Sequence, residues 1–202
     1  MFKGTSASAG IGIGKAVIVE EAELVITRNE VADAEAEIQR FKGALEKTIA
    51  ATQKMADDLA SRVGEKEAEI MQGHMMLLSD PMLTGEIENS VKNDKVNCEF
   101  AIENVCNMYA DMFASMGDEL MQQRATDMRD IKVRMQRTLM GLESVDVSLL
   151  PKGSILVAKD LTPSMTAGIN PENVSGIVTE LGGKTSHSAI LARALEIPAV
   201  VA

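Results

Sequence analysis

Residues 29–150 carry helical periodicity almost without interruption, while short β-branched runs are confined to the two flanks. From Val31 the apolar or small positions run Ala34, Ile38, Phe41, Leu45, Thr48, Thr52, Met55, Leu59 and Arg62, with Val63 beside the last. Side chains three and four residues apart share one helix face, so this spacing predicts a long helix packed in coiled-coil fashion. Shorter helices are predicted over 65–79, 82–92, 97–116 and 118–140. Asp80-Pro81 stops the first because proline disfavours helix in the residue before it. Asn97 is the expected cap of the third and Gly141 the expected C-cap of the last. The flanking runs 15–19, 154–158, 174–179 and 197–202 are short and apolar or β-branched, as buried strands are. Strands at both ends with helices between them predict an α/β domain made of 1–28 and 146–202. An all-α helical-bundle domain, 29–145, is inserted into it, which requires the two ends of the insertion to lie close together.

Charge follows the same division. Residues 29–150 hold 23 acidic and 13 basic side chains, so the whole formal charge of −10 sits there, along with 12 of the 14 methionines. An acidic surface repels phosphate backbones, and aromatics at 2% leave little to stack bases on, so nucleic acid is excluded as a partner. A basic protein partner would instead be steered toward it. The bland alternative is a solvated acidic face with Met108, Met112 and Met116 in a helix core. No apolar run approaches the roughly 20 residues that cross a bilayer, and the start lacks a basic-then-apolar signal pattern, so no membrane association is expected and the cytoplasm is the expected location. Cys98 and Cys106 fall eight residues apart on one predicted helix. At about 1.5 Å per residue their Cα atoms are about 12 Å apart, too far for a disulfide. Neither has the partner spacing of a zinc site, and no metal is expected.

The chemistry concentrates in Gly182-Gly183-Lys184-Thr185-Ser186-His187-Ser188-Ala189-Ile190-Leu191-Ala192-Arg193. A neutral imidazole is a good nucleophile near pH 7. Phosphate on such a ring is tolerated at a helix amino terminus, where N–H groups lack carbonyl partners and the dipole favours negative charge. Ser186 or Ser188 can cap that terminus. Gly182 and Gly183 allow close backbone approach or positive φ, Thr185 adds a hydroxyl, and Lys184 and Arg193 add positive charge. The run therefore reads as a covalent phosphoryl-carrier site with His187 as nucleophile, or as a helix-capping turn with a surface histidine. His74, the other histidine, lies on a predicted helix without such a cradle and suits packing or hydrogen bonding better than a second shuttle. Asp127, Arg129 and Asp130 suit salt bridges within or between helices. Asp160 and Thr162 precede Pro163 and can cap a short helix carrying Thr166.

The segment from Gly183 to Arg193 resembles the phosphohistidine signature of the PEP-utilising enzymes. The chain as a whole is similar to the amino-terminal half of the Enzyme I family of the bacterial sugar phosphotransferase system. The likeness extends to Gly10-Ile11-Gly12-Ile13-Gly14-Lys15-Ala16, Gly73-His74-Met75-Met76-Leu77-Leu78 with Asp80, Arg124-Ala125 with Asp127, Arg129, Asp130 and Ile131, and Asp160-Leu161-Thr162-Pro163-Ser164. The resemblance implies that His187 takes a phosphoryl group at Nε2, from phosphoenolpyruvate in the full-length enzyme, and passes it to the carrier protein HPr. It implies that Thr166 bonds the resting ring and that Arg193 stands near the phosphohistidine. Glu65, Met76, Leu77, Asp80, Leu83 and Arg124 match family positions that contact HPr, although Lys66 and Glu67 depart from the charge order expected there. The family's carboxy-terminal barrel, which holds phosphoenolpyruvate, Mg²⁺ and the dimer interface, has no counterpart here. No cofactor is therefore expected in this part of the protein, Mg²⁺ is expected for the full-length enzyme, and further sheet is expected beyond residue 202.

Two other functions compete with this one. The swivelling domain of a pyruvate phosphate dikinase or phosphoenolpyruvate synthase shares the histidine motif, but the inserted acidic helices argue against it. A non-enzymatic docking module with an unreactive histidine would take no label from phospho-HPr.

Overall fold

In the computed structural model, which describes residues 3–201, the two flanks form one mixed sheet. Its strands are β1 (Thr5–Ser8), β2 (Lys15–Val19), β3 (Ser154–Ala158), β4 (Val174–Thr179) and β5 (Ala199–Val201), in spatial order β1-β5-β4-β3-β2. All neighbours are parallel except β1, which runs antiparallel to β5. Parallel neighbours need a crossover. Helix α6 (Pro163–Ala167) lies between β3 and β4, and α7 (His187–Ala194) lies between β4 and β5. Ala202, the end of the expected last strand, lies outside the described residues.

Alternation along the strands separates two sheet faces. Val19, Leu156, Ala158, Ile177, Ala199 and Val201 are buried together with Met165 of α6 and Ala189 and Ala192 of α7. The register places Ile18, Val157, Val178 and Val200 in one row on the other face. There Ile18 is 69% exposed, and Val178 and Val200 are exposed as well. The glycines before β2 have a steric reason. A Cβ on Gly12 would fall 2.2 Å from the Ser175 carbonyl oxygen, and one on Gly14 would fall 2.0 Å from that of Gly153. Strand β1 was not among the predicted strands, since Thr5-Ser6-Ala7-Ser8 offers no large apolar residue to signal one.

Five helices occupy the middle of the chain: α1 (Ala34–Arg62), α2 (Glu65–Leu78), α3 (Pro81–Asp94), α4 (Cys98–Ser115) and α5 (Glu119–Met140). Helix α1 starts three residues after the predicted Val31, where Asp33 Oδ1 accepts the Ala36 N–H at 3.0 Å. The predicted stripe is the buried one, with Ile38, Phe41, Thr48, Thr52 and Leu59 inside. Its threonines are satisfied locally: Thr48 Oγ1 donates to the Ala44 carbonyl and Thr52 Oγ1 to that of Thr48. Asp118 caps α5 by accepting the Met121 N–H at 2.8 Å, and Gly141 closes it at φ 67°. Met128 and Met135 are core residues, whereas Met108, Met112 and Met116 are exposed, which removes the bland core reading for those three. Cys98 and Cys106 are buried and free. No helix among the described residues is long and apolar enough to cross a membrane.

The chain divides into two compact units. One comprises Met1–Ala22, Met55–Glu69 and Val145–Ala202, and the other Glu23–Lys54 and Ile70–Ser144. The end of α1 and the start of α2 thus group with the sheet, where the sequence reading had assigned all of 29–145 to the insertion. Arg62 gives one physical reason. Its guanidinium donates to the carbonyls of Ile169 at 2.5 Å and Ala167 at 2.7 Å, tying the last turn of α1 to the end of α6 and the residues just after it.

The expected Asn97 cap also differs. Its side chain makes no cap bond to α4; its Oδ1 accepts the Asn29 N–H instead. The start of α4 is capped from α1, where Glu37 Oε1 accepts the Cys98 N–H at 2.8 Å and the Cys98 thiol at 3.1 Å. Arg40 Nη2 bridges Glu37 and Glu99 at 2.8 and 2.7 Å. Burial pushes the Glu37 carboxyl up, but hydrogen bonds from Arg40 and Cys98 outweigh it and hold the pKa at about 2. A carboxylate with a depressed folded pKa stabilises the fold fully above its ordinary value of 4.5, and that stability is lost as pH falls toward 2. Glu37→Gln should therefore cost about 1.5–3 kcal/mol at pH 7, the usual worth of hydrogen bonds to a charged group. In urea unfolding, the gap between wild type and variant should close between pH 4.5 and 2; a gap independent of pH would contradict this cap.

Candidate functional site

Strand β4 ends at Thr179, and its ladder continues briefly. The N–H groups of Glu180 and Leu181 donate to the carbonyls of Ala158 and Lys159 at 3.1 and 2.7 Å. Gly182 then turns the chain at φ +112°, a conformation that a side chain strongly disfavours. Gly183 has an ordinary backbone and open space around its missing Cβ, so nothing within the chain requires a glycine there. Lys184 and Thr185 are exposed. Ser186 is the N-cap of α7, which makes His187 the first residue of that helix, half-buried at its amino terminus.

The two serines of the loop form a directed chain. Ser186 Oγ lies 2.9 Å from the Gly183 carbonyl, which can only accept, so the Ser186 proton goes there. The same oxygen accepts the Ala189 N–H at 3.3 Å. Ser188 Oγ stands 2.9 Å from it and must therefore donate to it. Both hydroxyl protons are thus committed to holding the loop.

Arg193, in the last turn of α7, reaches back across the helix. Its Nη1 donates to the Lys184 carbonyl at 2.8 Å and to the Ala7 carbonyl of β1 at 3.0 Å. The guanidinium therefore fixes the loop backbone as well as bringing charge to it. Thr166 is buried on α6, which packs against α7. Thr162 caps α6 by accepting the Met165 N–H at 3.3 Å, while Asp160 Oδ1 accepts the N–H of Leu161. Thr166 Oγ1 gives its proton to the Thr162 carbonyl at 2.8 Å. Toward an imidazole it can then only accept, from a ring nitrogen that carries hydrogen.

Thr179 was missed by the sequence reading. Its hydroxyl is fully buried without a hydrogen-bond partner, 3.9 Å from where a Cβ on Gly182 would stand. A threonine ending a strand gives no signal in sequence, since its type is ordinary there.

The residues matched to partner contacts divide. Glu65 is exposed at the start of α2 within the sheet unit. The others belong to the helical unit, where Met76 is 70% exposed and Leu77 half-buried. Asp80 is half-buried and caps α3, accepting the Met82 N–H at 2.8 Å. Leu83 is 2% exposed in the core of that unit, so it is a packing residue and not a surface contact. Its position on the inner face of α3, with Ile87 and Val91, accounts for this. Arg124 is partly exposed near the start of α5 and lies 3.7 Å from Asp127. His74 is completely buried, with Nε2 3.3 Å from Asp127 and Nδ1 3.6 Å from Asp130. Arg129 stands 3.9 Å from Asp111 on α4.

Among the described residues, the one cluster of three metal-type ligands is Glu37, Cys98 and Glu99. Arg40 already supplies the positive charge between its two carboxylates.

Comparison with known proteins is consistent along the chain. The family PEP-utilising enzyme, N-terminal, matches residues 3–124, and PEP-utilising enzyme, mobile domain, matches 150–202. Phosphoenolpyruvate-protein phosphotransferases of Bacillus subtilis and Listeria monocytogenes are 43% and 44% identical over 200 residues, 99% of this chain. The chain spans about a third (35%) of the length of each of those relatives. A solution structure of the Enzyme I protein nEIt superposes with a TM-score of 0.85 at 40% identity, covering 100% of this chain and 82% of that one. An N-terminal domain of Enzyme 1 - Nitrogen gives 0.67 at 26% identity, covering 98% and 83%. With one family matching more than half of its residues and its mobile-domain counterpart matching the remainder of the histidine-bearing flank, the chain belongs to the PEP-utilising enzymes.

Proposed function

We propose that this chain is the phosphoryl-carrying part of a phosphoenolpyruvate-protein phosphotransferase and exchanges phosphate with HPr in the cytoplasm. The observation that carries this reading is the placement of His187 as the first residue of α7, after a glycine turn and a serine cap. In the transfer, the lone pair of His187 Nε2 attacks phosphorus and a P–N bond forms. The bond from phosphorus to its donor breaks, and the electron pair leaves with that donor, the enol oxygen of phosphoenolpyruvate or the carrier group of phospho-HPr. The chain's own residues then stabilise the product. N–H groups of the first turn of α7 and its dipole face the added charge, a contribution of about 0.3–1 kcal/mol for the dipole alone. Arg193 holds the loop carbonyl of Lys184 in place, and Thr166 orients the ring as an acceptor.

Phosphoenolpyruvate and Mg²⁺ are assigned to the remainder of the full-length protein, because the relatives are about three times longer. The names of the relatives favour this reading over a dikinase or synthase swivelling domain. HPr docking is assigned to the acidic helical unit, with Met76, Leu77, Asp80 and Arg124 at its surface. Leu83 is excluded by its burial.

Labelling with phospho-HPr tests the nucleophile. Wild type should acquire an acid-labile, base-stable phosphoryl group that mass spectrometry locates on His187, and His187→Ala should acquire none; a label on any other residue would refute the assignment. Gly183→Ala separates approach of the group from folding. Open space around its Cβ predicts an unchanged thermal midpoint, and a phosphoryl group seated against the loop predicts a labelling rate lowered by about tenfold, or ~1.4 kcal/mol of barrier. An unchanged rate would place the phosphate away from this backbone. For docking, Asp80→Asn keeps the α3 cap while removing one charge. It should weaken HPr binding at low salt and flatten the salt dependence, measured by titration at several ionic strengths; an unaltered slope would count against an electrostatically steered face.

A further inference from the structure

Three glycines lie inside the helices of the helical unit, and only one of them meets a neighbour. Gly43 on α1 and Gly85 on α3 have nothing within 4 Å of an added Cβ. A Cβ on Gly73 of α2 would stand 2.6 Å from Nη1 of Arg124 and 3.6 Å from its Cζ. Gly73 has no left-handed φ, so its backbone conformation is one any residue adopts. A glycine in a helix interior is destabilising relative to alanine. The space it leaves is filled by a guanidinium lying against the α2 backbone.

The other side of that guanidinium is fixed from within the fold. Asp127, one turn along α5, lies 3.7 Å from Arg124 Nη1 and is itself 3.3 Å from Nε2 of His74, the residue after Gly73. His74 is fully buried and faces Asp130 at 3.6 Å through Nδ1. Arg124 is thus held between a bare stretch of helix and a carboxylate that a buried ring supports, with about a third of its side chain (31%) open to solvent.

We infer that Gly73 is a positioning residue for docking: by lacking a side chain it lets Arg124 lie against α2, where Asp127 and His74 hold its guanidinium in the orientation that meets an acceptor oxygen on the partner. This rests on the reading of Arg124 as part of the HPr-docking face. The guanidinium is the far end of a flexible side chain, so an added methyl displaces it without forcing the backbone to move. Loss of docking and loss of stability are therefore separable at this position.

The experiment compares wild type, Gly73→Ala, Arg124→Ala, the double variant and Gly85→Ala as a helical control. For each, HPr affinity is measured by calorimetric titration, the thermal midpoint by unfolding, and the kinetics of His187 labelling over a range of phospho-HPr concentrations. Gly73→Ala should weaken binding by about tenfold, a factor worth about 1.4 kcal/mol. Its thermal midpoint should be unchanged or raised, and its KM for phospho-HPr should rise with the saturated rate unchanged. The double variant should bind no more weakly than Arg124→Ala alone, and Gly85→Ala should bind as wild type. Wild-type affinity in Gly73→Ala, or additive losses in the double variant, would overturn the inference while leaving the docking reading intact. The Arg124 Nε–Hε resonance, followed without partner, gives a second readout. If it shifts in Gly73→Ala while wild type fails to bind HPr, the docking reading falls and the placement of Arg124 by Gly73 stands. If it does not move, the positioning itself is refuted.

Discussion

Parallel pairing of β4 with both β3 and β5 governs where His187 can be. A strand with parallel neighbours on each side cannot be followed by a hairpin, so the chain must leave its carboxyl end and return along a helix. That end is where backbone N–H groups of the next helix converge, and it is the usual place for ligands in open α/β sheets. Gly182 makes the turn and Ser186 starts the helix. His187 follows as a geometric consequence of those two steps. The antiparallel addition of β1 beyond β5 then supplies the Ala7 carbonyl against which Arg193 is anchored. The sheet thus sets both the position of the ring and the stiffness of the loop that delivers it.

The resting loop is ordered by polar groups whose roles are fixed by what each can donate. Carbonyls only accept, so Gly183, Lys184, Ala7 and Thr162 impose the direction of the bonds from Ser186, Arg193 and Thr166. Under the proposed function, a phosphoryl group on His187 would meet a loop whose backbone these bonds already hold in place. Thr179 is the exception, a buried hydroxyl without a partner beneath the turn. Leaving such a group unpaired costs about 1–3 kcal/mol. The loop above it is in turn the part of the site with the most exposed residues, Gly182, Lys184 and Thr185 among them.

The helical stripe from Ile38 to Leu59, the four predicted strands and the His187 loop could be read directly from periodicity and residue type. Each is written in residue type and spacing along the chain, even where, as for β2 and β3, the strand pairs with a distant segment. What could not be read depends on distant partners. The cap of α4 comes from Glu37, 61 residues away, and not from the adjacent Asn97, whose side chain serves Asn29 instead. Arg62 ends α1 by binding carbonyls more than 100 residues further on, so the boundary between units falls within helices that look continuous in sequence. Strand β1 exists because β5 offers it an edge, not because Thr5-Ser6-Ala7-Ser8 is strongly β-forming. Leu83 shows the converse limit: family position suggested a contact surface, and four-residue spacing with Ile87 on the inner face of α3 puts it in the core.

The helical unit raises the question of what fixes the rotation of α5. Asp127, Asp130, Arg134, Gln136 and Arg137 of that helix are all buried, an arrangement no amphipathic pattern would suggest. Each serves a partner on another element or at its own end. Asp127 and Asp130 flank His74, and Arg134 donates to Thr52 at 2.7 Å. Gln136 bonds the Glu99 carbonyl and Glu103, and Arg137 bonds the Glu143 carbonyl. Burial pulls the Arg134 guanidinium below its ordinary pKa, while the charge of Asp130 opposes that pull. Methionine and alanine contacts adapt to small rotations, so the apolar core alone would hold α5 loosely. Turning the helix by one residue would strand these charges away from their partners, on the order of 3–5 kcal/mol for a broken buried pair. The polar stripe therefore selects one rotation of α5, and with it the one direction in which Arg124, three residues before Asp127, can leave the helix.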